Sequence, residues 1–163
     1  YRTIEQTMEK LSGGTRRLAA QLTTSASFDS LWDVLTDYDR LSLYIPNLLS
    51  SKQIFKNNNN VHLKQVGAQD FLGMKFSAEV TINLFEEKDI GLLKFSLIKG
   101  DFRKFEGSWT IKQIKDSSKN SLIYDLTVQG CQWMPIGMIE KRLKKDLSEN
   151  LVAVDKQAKS SIY

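Results

Sequence analysis

Residues able to perform chemistry are sparse in this chain. The sequence contains one histidine, His62, and one cysteine, Cys131. A serine or cysteine nucleophile needs a base within hydrogen-bond reach, and no such pair occurs at a usable spacing. The sequence also lacks a glycine-rich loop of the kind that cradles phosphates. We therefore predict no catalytic residue, and the sequence favours a protein that is not an enzyme.

The same scarcity bears on metal sites. Zinc and iron centres recruit several histidine or cysteine ligands, whereas this chain has one residue of each type. No cluster of carboxylates follows the spacing of a calcium-binding EF-hand loop. We therefore expect no metal and no other cofactor. The lone cysteine also excludes a disulfide within the chain.

Five polar side chains are candidates for a ligand cavity: His62, Glu79, Arg103, Tyr124 and Asp125. Tyr124 lies on the apolar side of an alternating pattern, so we expect its side chain to point inward. Glu79 and Asp125 fall on the opposite side of their strands and are predicted to be solvated, as is His62. Arg103 follows a Gly-Asp-Phe segment, where it could form a salt bridge or meet a ligand carbonyl.

Residues 35–48 form a candidate lid over such a cavity. They include Tyr38 and Tyr44, whose rings are apolar while their hydroxyl groups seek a partner when buried. Such residues suit a gate beside a ring ketone, and they equally suit plain packing, so both interpretations stay open. Pro46 disfavours helical geometry in the residue before it and should end a short helix there.

Three helices are predicted from apolar spacing and capping residues. Apolar residues at positions 28, 31, 32 and 35 form one stripe, and Ser27 before them suits an N-cap. A second short helix is expected at 39–45. A long C-terminal helix is expected at 135–159, with Pro135 at its first position.

The chain between the second and third helices shows the two-residue alternation of half-buried strands. Short polar turns, such as the four asparagines at 57–60, make antiparallel hairpins, and Gly13 and Gly14 mark a further hairpin. The sequence therefore predicts an α+β fold, in which a curved antiparallel sheet of six or seven strands surrounds the long C-terminal helix. The two short helices lie near the N-terminal side. The space between sheet and helix is then filled by side chains or kept open for a ligand.

The length and net charge of the chain limit which classes of binding partner are expected. The chain has 163 residues, and we predict one ligand-binding domain over residues 1–163. Its net charge is +4 and its pI about 9.1, which is mild for a nucleic-acid-binding protein. The basic residues at 141–145 form either a solvated helix face or a docking surface for anionic lipid or RNA. Nucleic acid is not an expected partner, whereas peripheral membrane contact stays open.

An apolar loop is the second element that could touch a membrane. Phe71, Leu72 and Met74 surround a glycine in a predicted turn. Apolar loop tips are unusual unless they pack or carry function. The loop is therefore a candidate portal or membrane-touching element, and Trp133 before the last helix could belong to the same rim.

Several segments resemble those of a known family. They are FDSLWDVLTDY at 28–38, IPNL at 45–48, GDF at 100–102, FEGSW at 105–109, MPI at 134–136, and the pairs Asp146-Leu147 and Asn150-Leu151. Together they resemble the START-like (SRPBCC) superfamily. The likeness is closest to its polyketide cyclase/dehydrase and coenzyme-Q-binding branch, which also includes the ribosome-association toxin family. The resemblance extends from about residue 16 to residue 158, and its residues are mostly structural.

The resemblance implies a helix-grip fold with a hydrophobic cavity for lipids, isoprenoid quinones or polyketide-like rings. Family members similar to the quinone-binding proteins are carriers or chaperones, others cyclise aromatic polyketides, and one type associates with the large ribosomal subunit. We expect the first role, for a ring-bearing lipid such as a prenylquinone, with the other two as alternatives. The ligand-contact residues that we predict are Tyr38, Tyr44, Phe71, Leu72, Met74, Phe95, Arg103, Trp109, Tyr124, Trp133 and Met138.

We expect a cytoplasmic location, and a position at the periphery of a membrane stays open. Because the chain begins at Tyr1 and not at a methionine, a targeting segment could have preceded it.

Overall fold

The computed structural model describes residues 4–71 and 73–160, excepting the side chains of residues 69–71, 138 and 139. The strands are β1 (Glu5–Lys10), β2 (Arg16–Thr24), β3 (Leu48–Asn57), β4 (Asn60–Phe71), β5 (Met74–Glu87), β6 (Leu92–Gly100), β7 (Lys104–Gln113) and β8 (Asn120–Gln129). The α-helices are α1 (Phe28–Leu35) and α2 (Ile136–Ser160), and short 3-10 helices cover Ser12–Gly14, Tyr38–Leu43 and Lys88–Ile90.

The strands form one sheet in the order β1-β2-β8-β7-β6-β5-β4-β3, and every neighbouring pair is antiparallel. The count of eight exceeds the predicted six or seven. The edge strand β3 explains the difference, because the predicted hairpin at Gly13 and Gly14 already implies β1. Nearly all residues of β3 are exposed, so it lacks the apolar alternation by which a half-buried strand is recognised.

The short helices lie where the sequence predicts them. Helix α1 begins after Ser27, whose hydroxyl oxygen accepts a hydrogen bond from the backbone N–H of Ser30 at 3.1 Å. The second short helix is a 3-10 helix, Tyr38–Leu43, which ends before Pro46. It leads through Asn47, which has a positive φ of 63°, into β3.

Helix α2 packs across the inner face of the sheet in the helix-grip arrangement. It contacts β2, β8 and α1. Its buried stripe consists of Leu147, Leu151, Val154 and Ala158. The four positions recur at three- or four-residue steps, so one face of the helix enters the core.

A polar contact fastens the end of α2 to the sheet. Asp155 is fully buried, and its carboxylate accepts a hydrogen bond from the hydroxyl of Thr24 at the end of β2. Lys159 pairs with the same carboxylate at 3.1 Å. The backbone N–H of Ala26 donates to the Thr24 hydroxyl oxygen at 2.9 Å. The last turns of α2 are therefore held by charge and hydrogen bonds as well as by apolar packing.

Within residues 4–71 and 73–160, no helix is both long enough and apolar enough to cross a membrane.

Candidate functional site

A cavity of about 230 Å³ lies between the inner face of the sheet and α2. Strands β4 to β8 supply half of its lining residues, and the segment from Tyr38 to Leu48 covers one side. The lining is mainly aliphatic and aromatic. Pro46 is the most exposed of the lining residues, so we place the mouth of the cavity beside it.

The volume limits what the cavity can hold. A cavity of about 150 Å³ in another protein binds benzene, and drug-sized ligands occupy about 300–1,000 Å³. At about 230 Å³ this cavity fits one substituted ring with a few further carbon atoms. A longer substituent has to leave through the mouth.

Aromatic residues of three neighbouring strands form one part of the wall. Trp109 and Tyr124 stack with ring centroids 4.1 Å apart and an interplanar angle of 7°. Phe95 packs against Tyr124 at 6.3 Å and against Phe105 at 5.7 Å, and Phe102 continues the cluster. Ring stacking of this kind favours a flat ligand.

The small residue Gly107 shapes this aromatic wall. It pairs with Leu126 of β8 and with Phe95 of β6. A Cβ atom at this position would lie 1.9 Å from the backbone oxygen of Asp125 and 2.9 Å from the Phe95 ring. The glycine therefore allows β7 and β8 to approach closely where the aromatic rings meet.

The two tyrosines of the candidate lid have different places. The Tyr38 ring lines the cavity, and its hydroxyl donates a hydrogen bond to the Glu86 carboxylate at 2.5 Å. Burial raises the pKa of Tyr38, and the Glu86 contact raises it further. Tyr44 borders a groove on the outer side of α2, and its hydroxyl donates to the backbone oxygen of Val34 at 2.6 Å. Both hydroxyl groups thus have protein partners.

A polar patch interrupts the apolar wall where α2 faces β8. It contains the hydroxyl of Tyr124 together with Asp146 and Asn150 of α2 and Asn47 of the lid segment. The Asn47 side-chain amide donates to Asp146 at 3.3 Å, and Arg142 lies 3.6 Å from the same carboxylate. Burial raises the pKa of Tyr124, and the charge of Asp146 adds to the rise.

Sequence reasoning missed this patch as a binding element. Asp146 and Asn150 were identified only as residues that carry the family resemblance. The available signal was their spacing, because they are four residues apart on the face that also carries the buried Leu147 and Leu151. Polar residues within the apolar stripe of a helix need a partner or a role.

The structure brings four of the predicted contact residues together around the cavity: Tyr38, Phe95, Trp109 and Tyr124. It places three others on the surface. Met74 and Trp133 are 61% and 51% exposed, and Arg103 is also exposed. The side chains of Phe71, Leu72 and Met138 lie outside the described part of the structure.

The remaining polar candidates of the strands face away from the cavity. Glu79 pairs with Lys64 at 3.2 Å, and Asp125 pairs with Arg17 at 2.8 Å. His62 packs on the ring of Phe55 at 4.8 Å. Tyr124 is therefore the one member of the predicted polar set that lines the cavity.

The described residues include no group of three or more histidine, cysteine, aspartate or glutamate side chains that could hold a metal ion.

Sequence comparison identifies the family. The family described as polyketide cyclase / dehydrase and lipid transport matches residues 24–155, which include the cavity-lining segments and most of α2. The chain belongs to this family. No curated protein matches the sequence of this family member.

Solved structures share its fold at low sequence identity. A STAR-related lipid transfer protein from Xanthomonas axonopodis is 13% identical with a TM-score of 0.81, over 96% of this chain and 93% of that one. The Zhui aromatase/cyclase from Streptomyces sp. R1128 is 13% identical with a TM-score of 0.77, over 91% and 96%. Norcoclaurine synthase from Thalictrum flavum, solved with dopamine and hydroxybenzaldehyde, is 13% identical with a TM-score of 0.66, over 91% and 89%.

These likenesses confirm the predicted helix-grip fold of the START-like superfamily. A lipid transfer protein and two kinds of enzyme share this architecture, so the fold alone does not determine which activity a protein has. The function of this family member has to be argued from its own cavity.

Proposed function

We propose that this protein binds an apolar, ring-bearing lipid such as a prenylquinone in the cavity and acts as its carrier or chaperone. The observation that carries the proposal is the ring-sized cavity of about 230 Å³ with the stacked pair Trp109 and Tyr124 in its wall. A quinone ring is flat and mostly apolar, and it suits such a wall. Its carbonyl oxygens would need a donor, which the Tyr124 hydroxyl supplies.

The volume also indicates how a prenyl tail is accommodated. Because the cavity fits one ring and a few carbon atoms, the tail has to run out past Pro46. An apolar tail outside the protein raises the free energy when it is exposed to water, whereas a membrane solvates it. We therefore propose that loading and release take place at a membrane surface.

Exposed apolar side chains supply a surface for that contact. Met74 lies at the β4–β5 turn, and Trp133 directly precedes Met134, which lines the cavity. Tryptophan favours membrane–water interfaces, where its apolar ring and polar N–H are both accommodated. We expect substitution of Met74 and Trp133 by serine to weaken co-sedimentation with liposomes. Unchanged co-sedimentation would refute the membrane contact and leave ligand binding untouched.

The chemistry of the cavity favours binding over catalysis. The Tyr124 hydroxyl is protonated at neutral pH, as is any tyrosine of ordinary pKa, and burial raises its pKa further, so it is suited to donate a hydrogen bond and not to act as a base. Arg103, which could have met a ligand carbonyl, is exposed.

An aromatase/cyclase is the second candidate function. The observation in its favour is that Tyr124 lines the cavity, where its hydroxyl could polarise a ring carbonyl. Turnover of a model polyketide that Tyr124→Phe abolishes would support this alternative against the carrier role.

The third alternative, association with ribosomal RNA through the basic helix, has less support. Arg142, Lys145 and Lys159 each pair with an acidic side chain one turn away on α2. These pairs reduce the positive charge available to phosphates. RNA affinity that fell steeply with salt would revive this alternative.

Binding can be tested with the tryptophan in the wall. A short-chain quinone in the cavity should quench the fluorescence of Trp109, and a Trp133→Phe background removes the exposed indole from the signal. We expect Ala78→Phe to fill part of the cavity and weaken binding at least about tenfold, because Ala78 lines it.

The control for this experiment is Ser77→Phe. Ser77 is the neighbour of Ala78 on β5, and it is exposed on the other face of the sheet. It adds the same bulk without entering the cavity, so binding should be unchanged. Equal effects of the two substitutions, or no saturable quenching of the parent protein, would refute the proposed site.

A further inference from the structure

One buried acceptor beside the cavity has no partner. The side-chain oxygen Oδ1 of Asn150 is shielded from solvent and receives no hydrogen bond from any described residue. Asn150 is also part of the cavity lining. A buried amide oxygen left unpaired costs free energy, so such an atom calls for an explanation.

The neighbourhood of Asn150 is rich in hydrogen-bond acceptors, although Arg142, 3.6 Å from the Asp146 carboxylate, balances part of its charge. Asp146 lies one helical turn before it on α2 and lines the same cavity. The side chain of Asp146 is 12% exposed, and its charge is felt at the Tyr124 hydroxyl, whose pKa it raises. A negative charge and an unpaired acceptor together attract a hydrogen-bond donor.

The Tyr124 hydroxyl completes the patch. The ring of Tyr124 stacks on Trp109, and the hydroxyl is protonated at neutral pH, so that it can donate a hydrogen bond. The patch therefore offers the donors of Tyr124 and of the Asn150 amide together with several acceptors. A ligand hydroxyl can use both kinds of group, because it donates one hydrogen bond and accepts others. A ligand carbonyl can use only the donors and leaves the Asn150 oxygen unpaired.

We propose that the polar patch of Tyr124, Asp146 and Asn150 selects ligands that carry a ring hydroxyl over the corresponding carbonyl or ether compounds. This inference rests on the proposed function, because it assigns the head group of the ligand in the same cavity. For a quinone carrier the preferred cargo is then the reduced hydroquinone, whose hydroxyl groups donate where the quinone carbonyls cannot.

The test compares two ligands in which a hydroxyl donor is replaced by a methyl ether of nearly the same size. The pair para-heptylphenol and para-heptylanisole has the same ring and tail, and neither compound takes part in redox chemistry. We expect calorimetric titration to give about tenfold tighter binding of the phenol, the factor that one added hydrogen bond supplies. A hydroquinone and its quinone, titrated under anaerobic conditions, should show the same order.

The residue assignment is tested with Asn150→Leu. The preference for the phenol should fall toward unity while the affinity for the anisole stays within about twofold. Replacing an unpaired buried polar group by an apolar one of similar shape should leave the ligand-free protein at least as stable. Asn150→Ala provides a second variant, which introduces no extra bulk.

Gln65→Leu is the matched control. Gln65 also lines the cavity, but its side-chain amide already donates to the Ser51 hydroxyl oxygen at 3.2 Å. Its replacement removes a polar lining residue without touching the patch, so the preference for the phenol should persist.

The outcomes separate the two proposals. Equal binding of phenol and anisole, or tighter binding of the quinone, overturns the selection of a hydroxyl and leaves cavity binding standing. Binding of none of the four ligands refutes the proposed function, and this inference falls with it. A preference that persists in Asn150→Leu and Asn150→Ala refutes the assignment to the patch.

Discussion

The contact between Thr24 and Asp155 is the strongest test of how α2 is held. We expect Asp155→Ala to lower the free energy of unfolding by about 3 kcal/mol. A hydrogen bond to a charged group contributes about 1.5–3 kcal/mol, and here both the carboxylate and the hydroxyl are fully buried. Loss of the Lys159 pair adds at most about 1 kcal/mol, because Lys159 is 33% exposed and water can solvate it.

Thermal denaturation can measure this loss of stability. For a chain of this size, 1 kcal/mol corresponds to a shift in melting temperature of about 2–4 °C, so we expect a decrease of about 6–12 °C. Chemical denaturation should show the same loss as a lower midpoint with an unchanged slope.

Two further variants identify the source of the effect. Lys159→Met should cost less than about 1 kcal/mol, because it removes only the exposed partner. A double-mutant cycle between Thr24→Val and Asp155→Ala should give a coupling energy of about 1.5–3 kcal/mol. A cost below about 1 kcal/mol for Asp155→Ala, or a coupling near zero, would show that apolar packing alone fixes the end of α2.

Three further predictions concern stability. Gly107→Ala should prevent folding or lower the free energy of unfolding by more than about 3 kcal/mol in denaturation, because the new Cβ would meet the Asp125 backbone oxygen at 1.9 Å. Gly137→Ala is the contrast: its new Cβ would meet nothing within 4 Å, and it should stabilise α2 by up to about 1 kcal/mol. The folded-state pKa of Tyr124 is raised, so its contribution to folding stability is present below about pH 10 and is lost as the pH rises above that value. In urea titrations, Tyr124→Phe should therefore reduce the alkaline loss of stability by about 1.4 kcal/mol per pH unit. Tyr38→Phe should lower the urea midpoint by an amount equivalent to about 1.5 kcal/mol while quinone binding persists; an unchanged midpoint would mean that the Glu86 contact adds nothing.

The spacing of apolar residues along the sequence predicted those helices and strands that have one buried face and one solvent-exposed face. The apolar stripe of α1, the N-cap at Ser27 and the long final helix are confirmed, and so is the inward direction of Tyr124. Each depends on spacing within a few residues, which secondary structure translates directly into a face. The edge strand β3 escaped prediction because nearly all of its residues are exposed.

Long-range partners could not be read from the sequence. Thr24 and Asp155 are 131 residues apart, and an aspartate on a helix is ordinarily assigned to the solvated face. The polar patch at Asn150 could not be predicted for the same reason, because its role depends on a cavity that forms only when α2 packs on the sheet. Tyr44 illustrates the limit for side chains in irregular segments, where no periodicity indicates which surface the ring will face.

The exposed edge strand β3 has a consequence for self-association. An open sheet offers the unpaired backbone groups of its last strand to any passing chain. In β3 the pairing shifts register between Leu48 and Ser50 and again between Gln53 and Phe55, and Lys52 and Lys56 stand beside these irregularities. A second sheet edge could match only a few consecutive backbone groups before meeting a shift or a charge. The irregular edge thus disfavours strand-to-strand polymerisation of the protein through β3.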